Sequence, residues 1–155
     1  MSVRCFIAVE MNDPLILDGI GRVQSSLSTT GANLKLVERE NIHLTLKFLG
    51  DVREGLLPEV INVVSGMSFD PFKMVLRGGG VFPSLRRPRV IWAGVTEGAE
   101  GFKAVFKELE SRLVELDFKP EGRSFSPHIT IARVRSGRNR DRLIEEVMAL
   151  EGTDL

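Results

Sequence analysis

One cysteine, two histidines and no excess of charge leave this 155-residue chain few routes to chemistry. Cys5 alone cannot form an internal disulfide, which fits a reducing compartment. It stands in the apolar run Cys5-Phe6-Ile7-Ala8-Val9, so a buried, inert thiol is expected rather than a nucleophile. Lys plus Arg number 21 and Asp plus Glu number 21. With no net charge, no global field attracts nucleic acid, and any RNA or phosphate binding must be local and modest in its salt dependence. No apolar run approaches a membrane span, and the opening one is too short for a signal peptide and lacks a cleavage site. A cytoplasmic protein with no membrane partner is expected. There is no His-x-x-His, no second cysteine and no carboxylate at motif spacing, so no metal or cofactor is expected. Gly78-Gly79-Gly80 lacks the downstream Gly-Lys-Ser/Thr of a phosphate-binding loop and reads as a bulge or bend.

What is present describes an ordinary soluble core: 43% apolar and 27% charged residues, enough for one domain or two small lobes sharing a core. Arginines gather twice, at Arg86, Arg87 and Arg89 and at Arg133, Arg135, Arg138, Arg140 and Arg142, either as solvated loops and a helix start or as local anion sites. Arg4 to Glu10 reads as a buried strand. A helix follows, capped by Asn12 or Asp13 with Pro14 in its first turn, burying Ile16, Ile20, Val23 and Leu27 and stopping near Gly31. Strands are expected at Asn33–Glu38, at Ile42–Leu49 ending on Gly50-Asp51, at Phe72–Leu76 ending on the glycines, at Arg89–Val95 and at Phe125–Val134. Helices are expected near Glu54–Gly66, Glu100–Leu116 and Asp141–Leu150, with Phe118–Arg123 a connector. The order β-α-β-β-α-β-β-α-β-α points to an α+β or α/β fold.

Both histidines belong to one repeated pattern: His43-Leu44-Thr45-Leu46 and His128-Ile129-Thr130-Ile131. Side chains alternate faces along a strand. Each strand therefore presents an imidazole and a hydroxyl on one face and aliphatic residues on the other. By the same parity Lys47 shares the His43 face, Phe48 faces the core, and Arg133 falls opposite His128 unless a bulge or twist intervenes. An imidazole titrating near pH 6.5 can give or take a proton, and two facing one substrate can do both. That suits in-line displacement at phosphorus, one side losing a proton while the other gains one, with the hydroxyls donating to the non-bridging oxygens.

These paired motifs, with Arg4–Val9, Asn41–Gly50, Phe82-Pro83, Pro88–Gly94 and Pro127–Val134 around them, resemble the 2H phosphoesterase superfamily. The likeness is greatest to its 2′-5′ RNA ligase (LigT, ThpR) branch, the RNA 2′,3′-cyclic phosphodiesterases. The resemblance implies a bilobal α+β fold over residues 1–155: two antiparallel sheets related by a pseudo-twofold axis, flanking a central groove, with helices outside. It implies hydrolysis of an RNA 2′,3′-cyclic phosphate to a 2′-phosphate, metal-free, with reverse 2′-5′ ligation by the same groups. His43 would be proton donor, His128 proton acceptor, and Thr45 and Thr130 would hold the phosphate. Lys47 and Arg133 are further phosphate candidates. Phe82 and Trp92 are base-stacking candidates, with core the safer reading for Trp92. RNA 3′ ends, tRNA halves among them, are the implied partners of a monomer. The chain stops sooner after its last helix than family members do, through truncation or a differently finished second lobe, and an exposed edge beside the second motif strand is expected. Two other readings are a non-catalytic RNA-end binder and a 2H phosphodiesterase acting on 2′-5′ oligonucleotides or small nucleotides.

Overall fold

The strand and helix periodicities resolve into β1 Ser2–Glu10, α1 Pro14–Ser28, β2 Leu34–Leu36, β3 His43–Arg53, α2 Leu57–Ser65, β4 Leu76–Pro83, β5 Pro88–Val95, α3 Ala99–Leu113, β6 His128–Val134 and α4 Arg140–Met148. The structure, a computed structural model, describes residues 1–122 and 124–155, so Arg123, the last residue of the expected connector, lies outside the described residues. Asp13 caps α1, its Oδ1 accepting from the Leu15 N–H at 2.9 Å, with Pro14 in the first turn.

All pairings are antiparallel, in the order β1-β3-β6-β5-β4, with β2 also on β6. The two expected sheets are continuous through a single residue pair, Leu44 with Ile129, which joins β3 to β6. Helices cross between the halves. α1 follows β1 yet packs on β6 and against α4; α3 follows β5 yet packs on β3 and against α2. The unit β1-α1-β3-α2 is thus repeated as β5-α3-β6-α4 with helices exchanged. Leu44, Ile129, Leu27, Leu109, Leu113 and Leu143 are wholly buried between sheet and helices. Each such side chain contributes roughly 1.5–3 kcal/mol of burial free energy.

Four expectations change. β1 is an edge strand, half exposed rather than buried, and Cys5 is half-buried with its Sγ donating to the Val3 carbonyl at 3.4 Å. β3 does not stop at Gly50 but continues to Arg53, Gly50 absorbing the irregularity at φ +71. The triple glycine lies inside β4, with a bulge between Leu76 and Gly79, while Phe72–Val75 is irregular. The exposed edge beside β6 is absent: β6 is central, with β5 on one side and β3 and β2 on the other. The edge opposite β1 is β4, along which Thr153–Leu155 runs: the Gly78 N–H donates to the Thr153 carbonyl, the Leu155 N–H donates to the Leu76 carbonyl, both at 3.0 Å, and Arg77 meets Asp154 at 2.6 Å.

Candidate active site

The two motif strands are buried in the same rhythm. His43 and Thr45 are half-buried while Leu44 and Leu46 are buried; His128 and Thr130 are half-buried while Ile129 and Ile131 are buried. With Leu44 opposite Ile129 in an antiparallel pair, parity puts all four polar side chains on one face of the joined sheet, each His beside the other strand's Thr and the imidazoles on a diagonal.

Both rings are held alike. Nδ1 of His43 lies 2.7 Å from the Asn41 carbonyl, and Nδ1 of His128 lies 2.7 Å from the Ser126 carbonyl. A carbonyl oxygen only accepts, so each Nδ1 carries the hydrogen and Nε2 is the nitrogen left for a substrate.

Beyond each Thr the strands depart from simple alternation, at the same place. Against β1, Thr45 pairs with Ala8 but Lys47 with Ile7, so Leu46 is an extra residue; against β5, Thr130 pairs with Trp92 but Ala132 with Ile91, so Ile131 is extra. A bulge of this kind shifts every later side chain by one face. Lys47 is turned away from His43 and is only 4% exposed, its Nζ bonded to Glu110 Oε2 at 2.7 Å and to the Lys119 carbonyl at 2.9 Å. Its expected place on the His43 face is corrected. Phe48, expected in the core, is 71% exposed, and Arg133 is exposed and shares the His128 face. Each bulge is tied to the helix above it. Gln24 of α1 donates to the Ile131 carbonyl at 3.0 Å and to Val37 at 2.8 Å; Glu110 of α3 holds Lys47.

Aromatic rings flank both imidazoles. Phe6 lies 5.1 Å from His43 between ring centres and 5.9 Å from Phe48. Phe82 lies 5.1 Å and Trp92 5.9 Å from His128, and 5.3 Å from each other. Trp92 is half-buried over Gly80, where an added Cβ would collide with the indole, so its expected core position is corrected. Its Nε1 is buried without a partner among the described residues. Among the described residues no group of three or more His, Cys, Asp or Glu side chains could hold a metal ion. Among the described residues no helix is long and apolar enough to cross a membrane.

Known proteins share this fold. The profile of the family described as LigT like phosphoesterase matches residues 13–92 and 94–153. The chain belongs to the LigT-like phosphoesterase family. A curated relative, the RNA 2′,3′-cyclic phosphodiesterase of Methanothermobacter thermautotrophicus, is 42% identical over 100% of this chain and 84% of its own length. A crystal structure from Thermus thermophilus superposes with a TM-score of 0.76 at 30% identity, covering 86% of this chain and 75% of the other. E. coli LigT complexed with phosphate gives 0.64 at 26% identity, covering 85% and 71%.

In this LigT-like phosphoesterase the structure thus gathers His43, His128, Thr45, Thr130, Arg133 and Phe82 on one side of the sheet and leaves Lys47 out. Sequence reading misses Phe6, Phe48 and the two carbonyls, and prefers the core for Trp92. A usable signal exists: Phe48 and Arg133 each stand three positions after the motif Thr, so one bulge accounts for both.

Proposed function

We propose that this LigT-like phosphoesterase is an RNA 2′,3′-cyclic phosphodiesterase working by acid–base catalysis between His43 and His128. The observation that carries the reading is the pair of identically held imidazoles, each with Nδ1 committed to a carbonyl and Nε2 free on the shared face. Neutral His128 takes a proton from water through Nε2 as the oxygen bonds to phosphorus. The P–O3′ bond breaks, and protonated His43 gives its Nε2 proton to the departing oxygen, leaving a 2′-phosphate and a 3′-hydroxyl. Thr45 and Thr130 donate to the non-bridging oxygens, where charge accumulates. Arg133, which the Ile131 bulge turns to this face, adds a guanidinium suited to two phosphate oxygens at once. Phe82 and Trp92 beside His128, and Phe6 and Phe48 beside His43, are surfaces on which bases stack, at roughly 1–3 kcal/mol per base. The natural substrates are RNA 3′ ends, tRNA halves among them, met in the cytoplasm by a monomer. Joining such an end to a 5′-hydroxyl runs the same steps backward, with the histidine roles exchanged.

The relative named as an RNA 2′,3′-cyclic phosphodiesterase and the phosphate complex of E. coli LigT support this reading. The test is hydrolysis of an oligoribonucleotide ending in a 2′,3′-cyclic phosphate, in excess EDTA. Product bearing a 2′-phosphate is expected. Activity that disappears with chelator, or that survives unchanged in both His43→Ala and His128→Ala, overturns the mechanism. Tight binding of the cyclic end with no turnover would instead select an RNA-end binder.

A further inference from the structure

The two arginine clusters, separate in sequence, converge in space. The β4–β5 turn, the segment after β6 and the start of α4 form an open cavity of about 340 Å³, lined by the exposed Arg86, Arg87, Arg89, Arg135 and Arg140 together with Pro88, Val134, Ser136 and Gly137. No carboxylate among the described residues is in that lining. Among the described residues Arg86, Arg87, Arg89 and Arg135 form no ion pair, and Arg140 has only the distant Asp141 carboxylate at 3.6 Å. In a chain of zero net charge, five arginines around one hollow repel one another unless an anion sits among them. The walls are tied together. The Arg87 N–H donates to Ser84 Oγ at 3.2 Å within the turn, and Arg140 Nη1 donates to the Arg86 carbonyl at 2.9 Å, fastening the turn to α4.

The cavity lies at the opposite end of β5 and β6 from His128. The seven residues of β6 span about 20 Å at ~3.3 Å per residue. Cations line the way. Arg133 follows Thr130 on the same face after the bulge, Lys35 pairs with Arg133 across β2, and both are exposed. Arg135, two residues on, keeps that side as its N–H extends the ladder to the Asn33 carbonyl at 2.8 Å.

We propose that this cavity is a second anion site, taking an internal backbone phosphate of the same RNA strand whose cyclic end lies at His43 and His128. Since that end is the strand's 3′ terminus, the bound phosphate lies several nucleotides to its 5′ side. The inference rests on the proposed activity and adds a substrate class to it: the cavity makes the enzyme favour polynucleotides over cyclic mononucleotides. Guanidinium groups suit this task because their planar donors match two phosphate oxygens. Binding there carries no base information, so it discriminates by strand length alone.

The test compares adenosine 2′,3′-cyclic monophosphate, whose only phosphate is the reacting one, with an oligoribonucleotide ending in the same group. Arg87→Ala/Arg135→Ala is measured beside the parent and beside Arg87→Lys/Arg135→Lys. Expected in the alanine pair is an unchanged kcat/KM on the mononucleotide and a KM raised about tenfold on the oligonucleotide, with a log–log salt slope shallower by about 0.7 for each phosphate no longer neutralised. The lysine pair recovers part of the affinity. Equal losses on both substrates, or none on either, overturn the inference. Should the parent hydrolyse neither substrate, the proposed function fails separately. Fluorescence anisotropy of a 5′-labelled oligoribonucleotide with a plain 3′-hydroxyl then decides the cavity: weaker binding by the alanine pair sustains it, and equal binding overturns it.

Discussion

His43 and His128 each spend one ring nitrogen on a backbone carbonyl two residues upstream, which sets the tautomer before any substrate arrives. On the proposed mechanism, replacing either by Ala removes one proton transfer, and kcat should fall about 10²–10⁴-fold in a steady-state assay on a cyclic-phosphate oligonucleotide. The parent should show a bell-shaped kcat/KM against pH, since one ring must be protonated and the other not, and each single variant should lose one limb. Arg133 has no ion pair among the described residues. If its guanidinium binds the reacting phosphate, Arg133→Ala should lower kcat/KM by about 10–100-fold, equivalent to ~1.5–3 kcal/mol for a hydrogen bond to a charged group. Arg133→Lys should recover only part, because a point charge replaces a two-pronged donor. The two histidines were legible in the sequence outright. Arg133 was legible only conditionally, since its face depends on whether the strand alternates cleanly.

At the scale of the element, the informative feature is a single extra residue in each motif strand. Leu46 and Ile131 break the period of two, and two consecutive buried residues follow in each case, Leu46-Lys47 and Ile131-Ala132. Because a bulge depends on what packs above it, here Gln24 of α1 and Glu110 of α3, neither strand's sequence read alone reveals it; only the two motifs set side by side hint at it. Lys47 is the clearest casualty of parity: a lysine on an exposed-looking strand position becomes a buried cation with two acceptors. Lys47→Ala strands Glu110, only 13% exposed, without a counter-charge. Urea unfolding should show a loss of about 3–5 kcal/mol. Per folded molecule, KM for a cyclic phosphate should stay within a few-fold of the parent, which a phosphate-binding lysine would not permit.

At the scale of the whole molecule, two halves exchange helices, and β3 joins β6 through one ladder pair. Leu44 and Ile129 are both 0% exposed and sit directly behind the histidine face. Leu44→Ala should cost about 2–5 kcal/mol by denaturant melting, the cavity adding to the missing burial. A milder junction lies at the β4 edge. The Arg77 guanidinium, by hydrogen bond first and charge second, holds the Asp154 carboxyl below the ordinary carboxylate range. A depressed carboxylate contributes above its unfolded value and loses that contribution as pH falls through its folded one. The tether of Thr153–Leu155 to β4 should therefore be constant at neutral pH and weaken only in acid. Asp154→Asn should reproduce the acid behaviour at neutral pH, read as faster exchange of the Gly78 and Leu155 amides by NMR.

The order of elements, the amphipathic faces of α1 and α3 and the shared face of His43, Thr45, His128 and Thr130 follow from the chain itself, because periods of 2 and 3.6 are written locally. The family likeness follows too, from the duplicated motif. What only the tertiary structure decided are the consequences of long-range pairing. Two bulges exchange the fates of Lys47 and Phe48 and turn Arg133 toward the histidine face. Trp92 comes to rest over Gly80 beside His128. Arginines far apart along the chain meet in one cavity. Register between strands and the meeting of distant segments depend on what the rest of the molecule packs against them, and no local pattern records that.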